Sequence, residues 1–215
     1  IPILPLSTGT NNVFPFFIEG TLAGIAAGTI ALGLVDEEES APKCKKLSVY
    51  KSRDMAMDLL DVALVDIAVS GKSHVGARAI WEIDTVSQIF LALARPDSIG
   101  LSSIGGMASP IPEGDLNGLY LEIDPLPTNK FVFAPVTAGN VSKVGIKSVA
   151  LMEPGMAYVV DTSPCTIALD GERSIPLREG ESVTVVLRWD GPPVIDPHKT
   201  LHVVGKKGIL YNSQN

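Results

Sequence analysis

The chain has 215 residues, 46% of them hydrophobic, and a formal net charge of −7. This length suffices for one large or two small domains, because domains commonly run to about 100–150 residues. The negative charge argues against nonspecific nucleic-acid binding, which needs basic patches that displace counterions from phosphates. Two cysteines, Cys44 and Cys165, are too few for a disulfide framework, so we expect a cytoplasmic protein.

The first residues join an apolar run to a polar turn. Ile3 to Leu6 is apolar throughout, as in a central strand that is covered on both faces. Backbone N–H groups at a helix start favour an anion, so the turn after this run is predicted to bind a nucleotide phosphate. An ordinary strand-to-helix turn, with Asn12 as the helix N-cap, would explain the same spacing. The candidate nucleotide-binding residues are Ser7, Thr8, Gly9, Thr10, Asn11 and Asn12.

The segment from Gly20 to Val35 has sixteen residues and no charge. A membrane-spanning helix needs about 20 apolar residues, so we expect a buried helix and no membrane partner. Glycines recur here at every fourth position, at Gly20, Gly24 and Gly28. That spacing predicts a flat stripe where a neighbouring backbone approaches closely.

Beyond an acidic-to-basic connection at residues 36–46, short β-type runs alternate with turn signals, which is typical of a sandwich or barrel. A helix is predicted near Ile83–Phe90. The Asp170-Gly171 pair indicates a tight hairpin, which explains that aspartate by turn geometry alone. The predicted strands are Leu47–Lys51, Val62–Ser70, Leu119–Ile123, Lys130–Val136, Val144–Met152, Ala157–Val160, Thr166–Leu169, Val183–Trp189 and Leu201–Val204.

Two places in this β-rich part offer candidate substrate contacts. Asp66 lies within an apolar run, where a carboxylate is expensive to bury unless it faces a ligand, a basic group or solvent. Residues 98–106 hold three serines and three glycines, and such residues let a ligand reach the backbone and donate hydroxyl hydrogen bonds. A turn followed by a tightly packed helix start is the alternative. The candidates in this stretch are Ser102, Ser103, Gly105 and Gly106, and no metal site is predicted.

Three segments together resemble the superfamily of NAD kinases, diacylglycerol kinases and sphingosine kinases. Pro5–Asn12 is similar to the turn that follows the GGDGT motif, Gly100–Gly106 to the substrate loop, and Ala168–Glu172 to an Asp-Gly turn. The pattern looks closest to the AcoX-like branch of the ATP-NAD kinases. This resemblance implies an α/β plus all-β fold. Residues 1–40 would finish a Rossmann-like nucleotide domain, residues 41–205 would form a β-sandwich substrate and oligomerisation domain, and residues 206–215 a tail.

The resemblance also implies ATP-dependent phosphorylation of a hydroxyl, with Mg²⁺ neutralising the phosphates. NAD is the best single guess for the substrate, and NADP for the product. Residues 7–12 would then contact nucleotide, Asp66 the acceptor ribose, and Ser102, Ser103, Gly105 and Gly106 the acceptor. The resemblance further implies a homo-oligomer.

The sequence departs from this family in two ways. It contains no GGDGT, and it begins at Ile1, so we expect part of a longer protein that is inactive alone. Val65 stands where NAD kinases carry an asparagine, so the acceptor need not be NAD. A kinase of another small hydroxyl compound or lipid, and a non-catalytic binding or regulatory protein of a catabolic operon, remain alternatives.

Overall fold

The structure, a computed structural model, describes residues 1–7, 13–53, 56–71, 83–126 and 129–211, with only the backbone of residues 52, 53, 56 and 57. The chain divides into two units, residues 1–44 with 190–215 and residues 45–189. The β-rich unit therefore ends at residue 189, not at the predicted 205. Within the described residues the elements are α1 (Gly20–Ala31), α2 (Glu37–Ser40), β1 (Lys46–Arg53), β2 (Ala56–Ala63), β3 (Asp66–Ser70), a 3-10 turn (Ile83–Thr85), β4 (Val86–Leu91), α3 (Leu101–Ala108), β5 (Gly118–Asp124), β6 (Phe131–Thr137), β7 (Asn140–Met152), β8 (Ala157–Val160), β9 (Cys165–Leu169), β10 (Arg173–Leu177), β11 (Val183–Arg188) and α4 (Pro197–Lys206).

The first unit is helical and is closed by pairing between its two chain segments. Ile3 forms a parallel bridge with Val194, and the Ile195 N–H donates to the Ile3 carbonyl at 2.8 Å. Residues 3–6 thus make isolated bridges where the sequence predicted a strand. Ala26, Ala41 and Ile195 form a small core, and a second one lies around Val35, Val203 and Val204.

Helix α1 confirms the predicted helix but not its predicted details. Its N-cap is Glu19, whose carboxylate accepts the Thr21 N–H at 2.8 Å. Asn12, the cap that the sequence predicted, lies outside the described residues. A Cβ added at Gly20, Gly24 or Gly28 would meet nothing within 4 Å, so the glycine stripe faces no close backbone among the described residues. No helix in the described part of the chain is long and apolar enough to span a membrane.

Helix α4 replaces the strand that was predicted at Leu201–Val204. The β-branched residues suggested a strand, but Asp196 and Pro197 are a helix start signal. The Asp196 carboxylate accepts the Lys199 N–H at 3.0 Å. A second correction concerns Ile83–Phe90, where a short 3-10 turn leads into strand β4 instead of a helix.

The second unit confirms the predicted β-sandwich. One sheet has the strand order β2-β1-β11-β8, and the other has the order β10-β9-β3-β4-β5-β7-β6. The main core lies between them and includes Leu47, Ile67, Phe90, Val185 and Leu187. A second core lies on the opposite face of the seven-stranded sheet, where Leu101 and Ile104 of α3 pack. Cys44 and Cys165 are both buried.

Candidate functional site

The turn predicted to hold nucleotide is described only at its edge. Thr8, Gly9, Thr10, Asn11 and Asn12 lie outside the described residues. The Ser7 N–H donates to the Phe16 carbonyl, and the Phe16 N–H donates to the Pro5 carbonyl, each at 2.9 Å. These bonds hold the two ends of the turn together. The phosphate role of residues 7–12 stays a prediction.

The serine hydroxyls of α3 form hydrogen bonds with main-chain groups. Ser102 donates to the Leu93 carbonyl at 2.8 Å and accepts the Arg95 N–H at 3.1 Å. The Ser103 hydroxyl donates to the Gly100 carbonyl at 2.7 Å. Both residues are fully buried. Their hydroxyls were predicted to contact the acceptor, but here they tie α3 to the chain around it, as in the packed-helix alternative.

The glycines of α3 permit close packing. A Cβ at Gly105 would lie 2.2 Å from Leu91 Cδ1, and one at Gly106 would lie 2.3 Å from the backbone of Arg95 and Pro96. Main chain cannot move away as a flexible side chain can, so Gly106 is the stricter requirement. Gly105 therefore lets α3 lie directly on the sheet, and Gly106 lets it lie against the segment that follows β4.

Asp170 has a role that turn geometry alone did not predict. The β9–β10 hairpin is confirmed, and both Asp170 (φ 50°) and Gly171 (φ 70°) have positive φ, as a type I′ turn requires. The Asp170 carboxylate also accepts the N–H groups of Leu64, Val65 and Asp66, at 2.9, 2.8 and 3.2 Å. One side chain therefore satisfies the whole turn between β2 and β3. No local sequence signal links positions so far apart.

Arg173 reinforces this corner. Its guanidinium donates to the Asp61 carboxylate and to the Val62 carbonyl, the latter at 2.7 Å. It also lies 3.7 Å from the Asp170 carboxylate. Asp170 thus has a guanidinium and three N–H donors around its side chain.

The surroundings of Asp66 disfavour the charged form of its carboxyl group. It is half-buried, and its own N–H is the group that binds Asp170. Burial raises the pKa of the Asp66 carboxyl to about 7, and the Asp170 carboxylate adds to that shift. Asp66 thus titrates near neutral pH, which suits a residue that exchanges a proton with a ligand.

The sheet places Asp66 and α3 on the same face. Asp66 lies directly opposite Leu91 in the β3–β4 pair, and directly opposed residues point to the same side of a sheet. Leu91 belongs to the core that α3 covers. The segment after β4 also holds Ser102, through Leu93 and Arg95. The predicted substrate residues are therefore gathered around the end of β4, and Asp66 is the one whose charged form is disfavoured by its surroundings.

Lys45 is a buried cation that the sequence did not mark. It is 3% exposed, and its Nζ donates to the Asn117 carbonyl at 2.9 Å and lies 5.7 Å from the centre of the Trp189 ring. Burial lowers the pKa of Lys45 to about 8, against the opposing effect of Asp115 and Glu113. Trp189 Nε1 donates to the Leu116 carbonyl at 3.0 Å. Together these two residues fix the loop that leads into β5.

Comparison with known proteins gives three findings. The sequence profile of the acetoin catabolism protein X C-terminal domain matches residues 45–190. The chain is 34% identical over 211 residues to acetoin catabolism protein X of Cupriavidus necator. That match covers 98% of this chain and 59% of the relative, so the chain spans less than two thirds of the relative's length. The crystal structure of yeast NADH kinase complexed with NADH aligns with a TM-score of 0.45 at 10% identity, over 100% of this chain and 60% of the kinase chain.

Proposed function

Because this chain belongs to the family of the acetoin catabolism protein X C-terminal domain, we propose that it is part of a kinase-like protein of acetoin catabolism. In this proposal the protein transfers a phosphoryl group from ATP to a hydroxyl of a nucleotide-like acceptor, with NAD as the first candidate. The relation to the curated protein along 98% of the chain supports the link to acetoin catabolism. The similarity of Pro5–Asn12 to a kinase turn supports the nucleotide.

The observation that carries the proposed chemistry is the state of Asp66. A carboxyl with a pKa near 7, partly open to solvent, is poised to accept a hydrogen bond or a proton from an acceptor hydroxyl at neutral pH. Burial is the main cause of this raised pKa, and the neighbouring Asp170 adds to it. In the proposal Asp66 contacts the acceptor, and α3 packs against the sheet near the end of β4.

The donor and its metal are not assigned to residues of this chain. The described residues contain no group of three or more His, Cys, Asp or Glu side chains that would hold a cation. The turn proposed for the nucleotide phosphates, residues 8–12, lies outside them. ATP, when bound with Mg²⁺, would supply the transferable phosphoryl group and charge neutralisation.

The first experiment compares two lengths of the protein. We expect the purified 215-residue chain to make no NADP from NAD and ATP, and the protein extended upstream through a GGDGT segment to regain phosphotransfer when the acceptor is correct. Turnover by the 215-residue chain would contradict the expectation that an upstream aspartate is needed. Upstream sequence without a GGDGT motif would remove the kinase proposal.

The second experiment tests Asp66 in the extended protein. Asp66→Asn keeps the shape but neither ionises nor accepts a proton, so we expect phosphotransfer to fall by about 100-fold or more. Asp161→Asn, at an exposed position, is the matched control and should leave the rate unchanged. Equal rates for the two variants would exclude Asp66 from the chemistry.

The third experiment tests the turn. Thr10→Ala and Asn11→Ala should weaken nucleotide binding in calorimetric titrations, because each removes a ligand hydrogen bond that contributes roughly 0.5–3 kcal/mol. The thermal unfolding transition should stay in place. If the turn were only a helix start, stability would fall by about 1 kcal/mol and the affinities for ATP and NAD would not change.

A non-catalytic ligand-binding role is the second candidate, and the packing of α3 favours it. The serines and glycines expected to meet an acceptor are buried and bonded to main chain. A protein of this kind would bind a nucleotide without turnover even when extended upstream. Calorimetric binding of ATP or NAD with no phosphorylated product would decide for this role.

A further inference from the structure

Helix α4 carries two of the chain's three histidines on the side that faces solvent. His198 and His202 are both exposed, whereas Val203 and Val204 of the same helix are buried and pack against Val35. Within the described residues, neither imidazole ring takes part in a hydrogen bond or an ion pair. Their ring nitrogens are therefore available to a ligand from solution.

The helix brings these two histidines together. They are four positions apart, in the sequence His-Lys-Thr-Leu-His. In an extended chain, as predicted for Leu201–Val204, residues at that spacing lie about 13 Å apart. In an α-helix, side chains four positions apart are neighbours on one face, with about 5–6 Å between their Cβ atoms. The pair thus exists only where this segment is helical.

The turn that holds the pair is fixed at both ends. At its start, the Asp196 carboxylate accepts the Lys199 N–H at 3.0 Å, and the Thr200 hydroxyl donates to the Asp196 carbonyl at 2.7 Å. At its end, the Lys207 N–H donates to the Val203 carbonyl at 2.9 Å. Two ligands on a backbone that is already ordered lose little conformational entropy when they bind a common partner.

Two imidazoles at this spacing can chelate one transition-metal ion. Histidines four positions apart on a helix supply two of the zinc ligands in many metalloproteases. Imidazole nitrogen suits Zn²⁺, Ni²⁺ and Cu²⁺, whereas Mg²⁺ and Ca²⁺ prefer oxygen. A Cβ added at Gly205, one turn after His202, would meet nothing within 4 Å, so there is room beside the pair for the water ligands of a metal.

The charges on α4 oppose a cation but do not exclude it. The helix has no acidic residue, and Lys199 and Lys206 are exposed on either side of His202 in the sequence. Ammonium groups repel a divalent ion, although water and salt screen this repulsion at exposed positions. We therefore expect a site that exchanges its metal with solution.

We propose that His198 and His202 form a two-histidine site for a divalent transition-metal ion, with Zn²⁺ as the first candidate. The site has fewer protein ligands than a three-ligand group, which the described residues do not contain. A bound metal joins one turn of α4 to the next, so it favours the folded helix over the unfolded chain. Because α4 contributes Val203 and Val204 to the core around Val35, the metal stabilises the helical unit. This role does not depend on phosphotransfer.

The first test is calorimetric titration of the 215-residue chain with zinc chloride. We expect a single Zn²⁺ per chain, and at least about tenfold weaker binding for His198→Ala and for His202→Ala, because each leaves one ligand. His74→Ala is the control, since His74 is the chain's only other histidine, and its affinity should not change. Magnesium chloride should not compete for the site. Circular dichroism checks that all variants fold.

The second test separates spacing from composition with two double variants that have the same number of histidines. His198→Ala/Lys206→His keeps two histidines four positions apart on α4, and it should bind Zn²⁺ at least as tightly as the unchanged chain. His202→Ala/Lys206→His places them eight positions apart, about 12 Å along the helix, which one ion cannot span. Its binding should be at least about tenfold weaker.

Thermal unfolding gives an independent measure of the same effect. Zn²⁺ should raise the unfolding midpoint of the unchanged chain and of His198→Ala/Lys206→His, but not that of His202→Ala/Lys206→His. Three results would each overturn the proposal: an unchanged chain that does not bind Zn²⁺, equal affinities of the two double variants, or a loss for His74→Ala as large as that for His202→Ala.

Discussion

Helix α3 and the corner around Asp66 lie on one face of the same seven-stranded sheet. The polar groups of α3 have hydrogen-bond partners, whereas the surroundings of Asp66 disfavour its charged form. The hydroxyls of Ser102 and Ser103 are buried and bonded to carbonyl groups of neighbouring chain. Asp66 is half-buried, and its carboxyl has a raised pKa because burial and Asp170 both oppose its charge. Polar groups that the fold satisfies stabilise it, whereas a group held in an unfavourable state marks a candidate for chemistry.

The largest expected effect tests the α3 side of this comparison. Gly106→Ala should destabilise the protein by about 3 kcal/mol or more, because the new Cβ would meet the backbone of Arg95 and Pro96 at 2.3 Å. Gly114→Ala is the control, since a Cβ there meets nothing within 4 Å. Urea unfolding measures both. Similar midpoints for the two variants would mean that α3 is not closely packed against the Arg95–Pro96 backbone.

The next effect concerns the Asp170 carboxylate. Asp170→Ala leaves three N–H groups of the β2–β3 turn without their acceptor, and we expect a loss of about 2–3 kcal/mol. Asp170→Asn retains one acceptor oxygen and tolerates the positive φ, so its loss should be smaller. Thermal unfolding of the two variants shows which of them loses more stability. A milder effect for alanine than for asparagine would rule out the carboxylate as the organiser of this turn.

A smaller expected effect is the pH dependence of stability, which tests the raised pKa of Asp66. The folded state holds the Asp66 proton up to about pH 7 and the unfolded state only to about pH 4, so this residue's stabilising contribution is present below pH 4 and is lost as pH rises to 7. Asp66→Asn should therefore match the unchanged protein near pH 4 and exceed its stability by roughly 1–3 kcal/mol at pH 8. Urea unfolding at both pH values measures the difference. A difference independent of pH would show that Asp66 has an ordinary pKa.

The smallest effect extends the comparison to a buried cation. The folded state releases the Lys45 proton near pH 8 and the unfolded state near pH 10.5, so stability should rise between these values. Lys45→Met should remove that rise, which we expect to be on the order of 1 kcal/mol. Unfolding at pH 7.5 and pH 10 checks it. A steeper rise in the variant would contradict the lowered pKa.

Local patterns predicted most of the β-rich unit, and their limits have physical causes. Alternating apolar runs gave strands such as β5 and β11, and Asp170-Gly171 gave the hairpin, because these depend on neighbouring residues. Leu201–Val204 became a helix because the start signal at Asp196 outweighed β propensity. The cost of burying a carboxylate identified Asp66 as a candidate from the sequence. Its contact with Asp170 could not be predicted, because the two residues are more than a hundred positions apart in the chain. The functional roles of the predicted site residues stay predictions.

The continuity of the β-rich unit has a consequence for how the chain is made. Residues 45–189 are one uninterrupted segment, whereas the other unit joins residues 1–44 to 190–215, with Ile3 bridged to Val194. On the ribosome, the β-rich unit can fold as soon as it has emerged, because domains fold as units during synthesis. The bridge between Ile3 and Val194 can form only after residue 194 has been translated. We therefore expect the Ile3–Val194 bridge to form after the β-rich unit has folded.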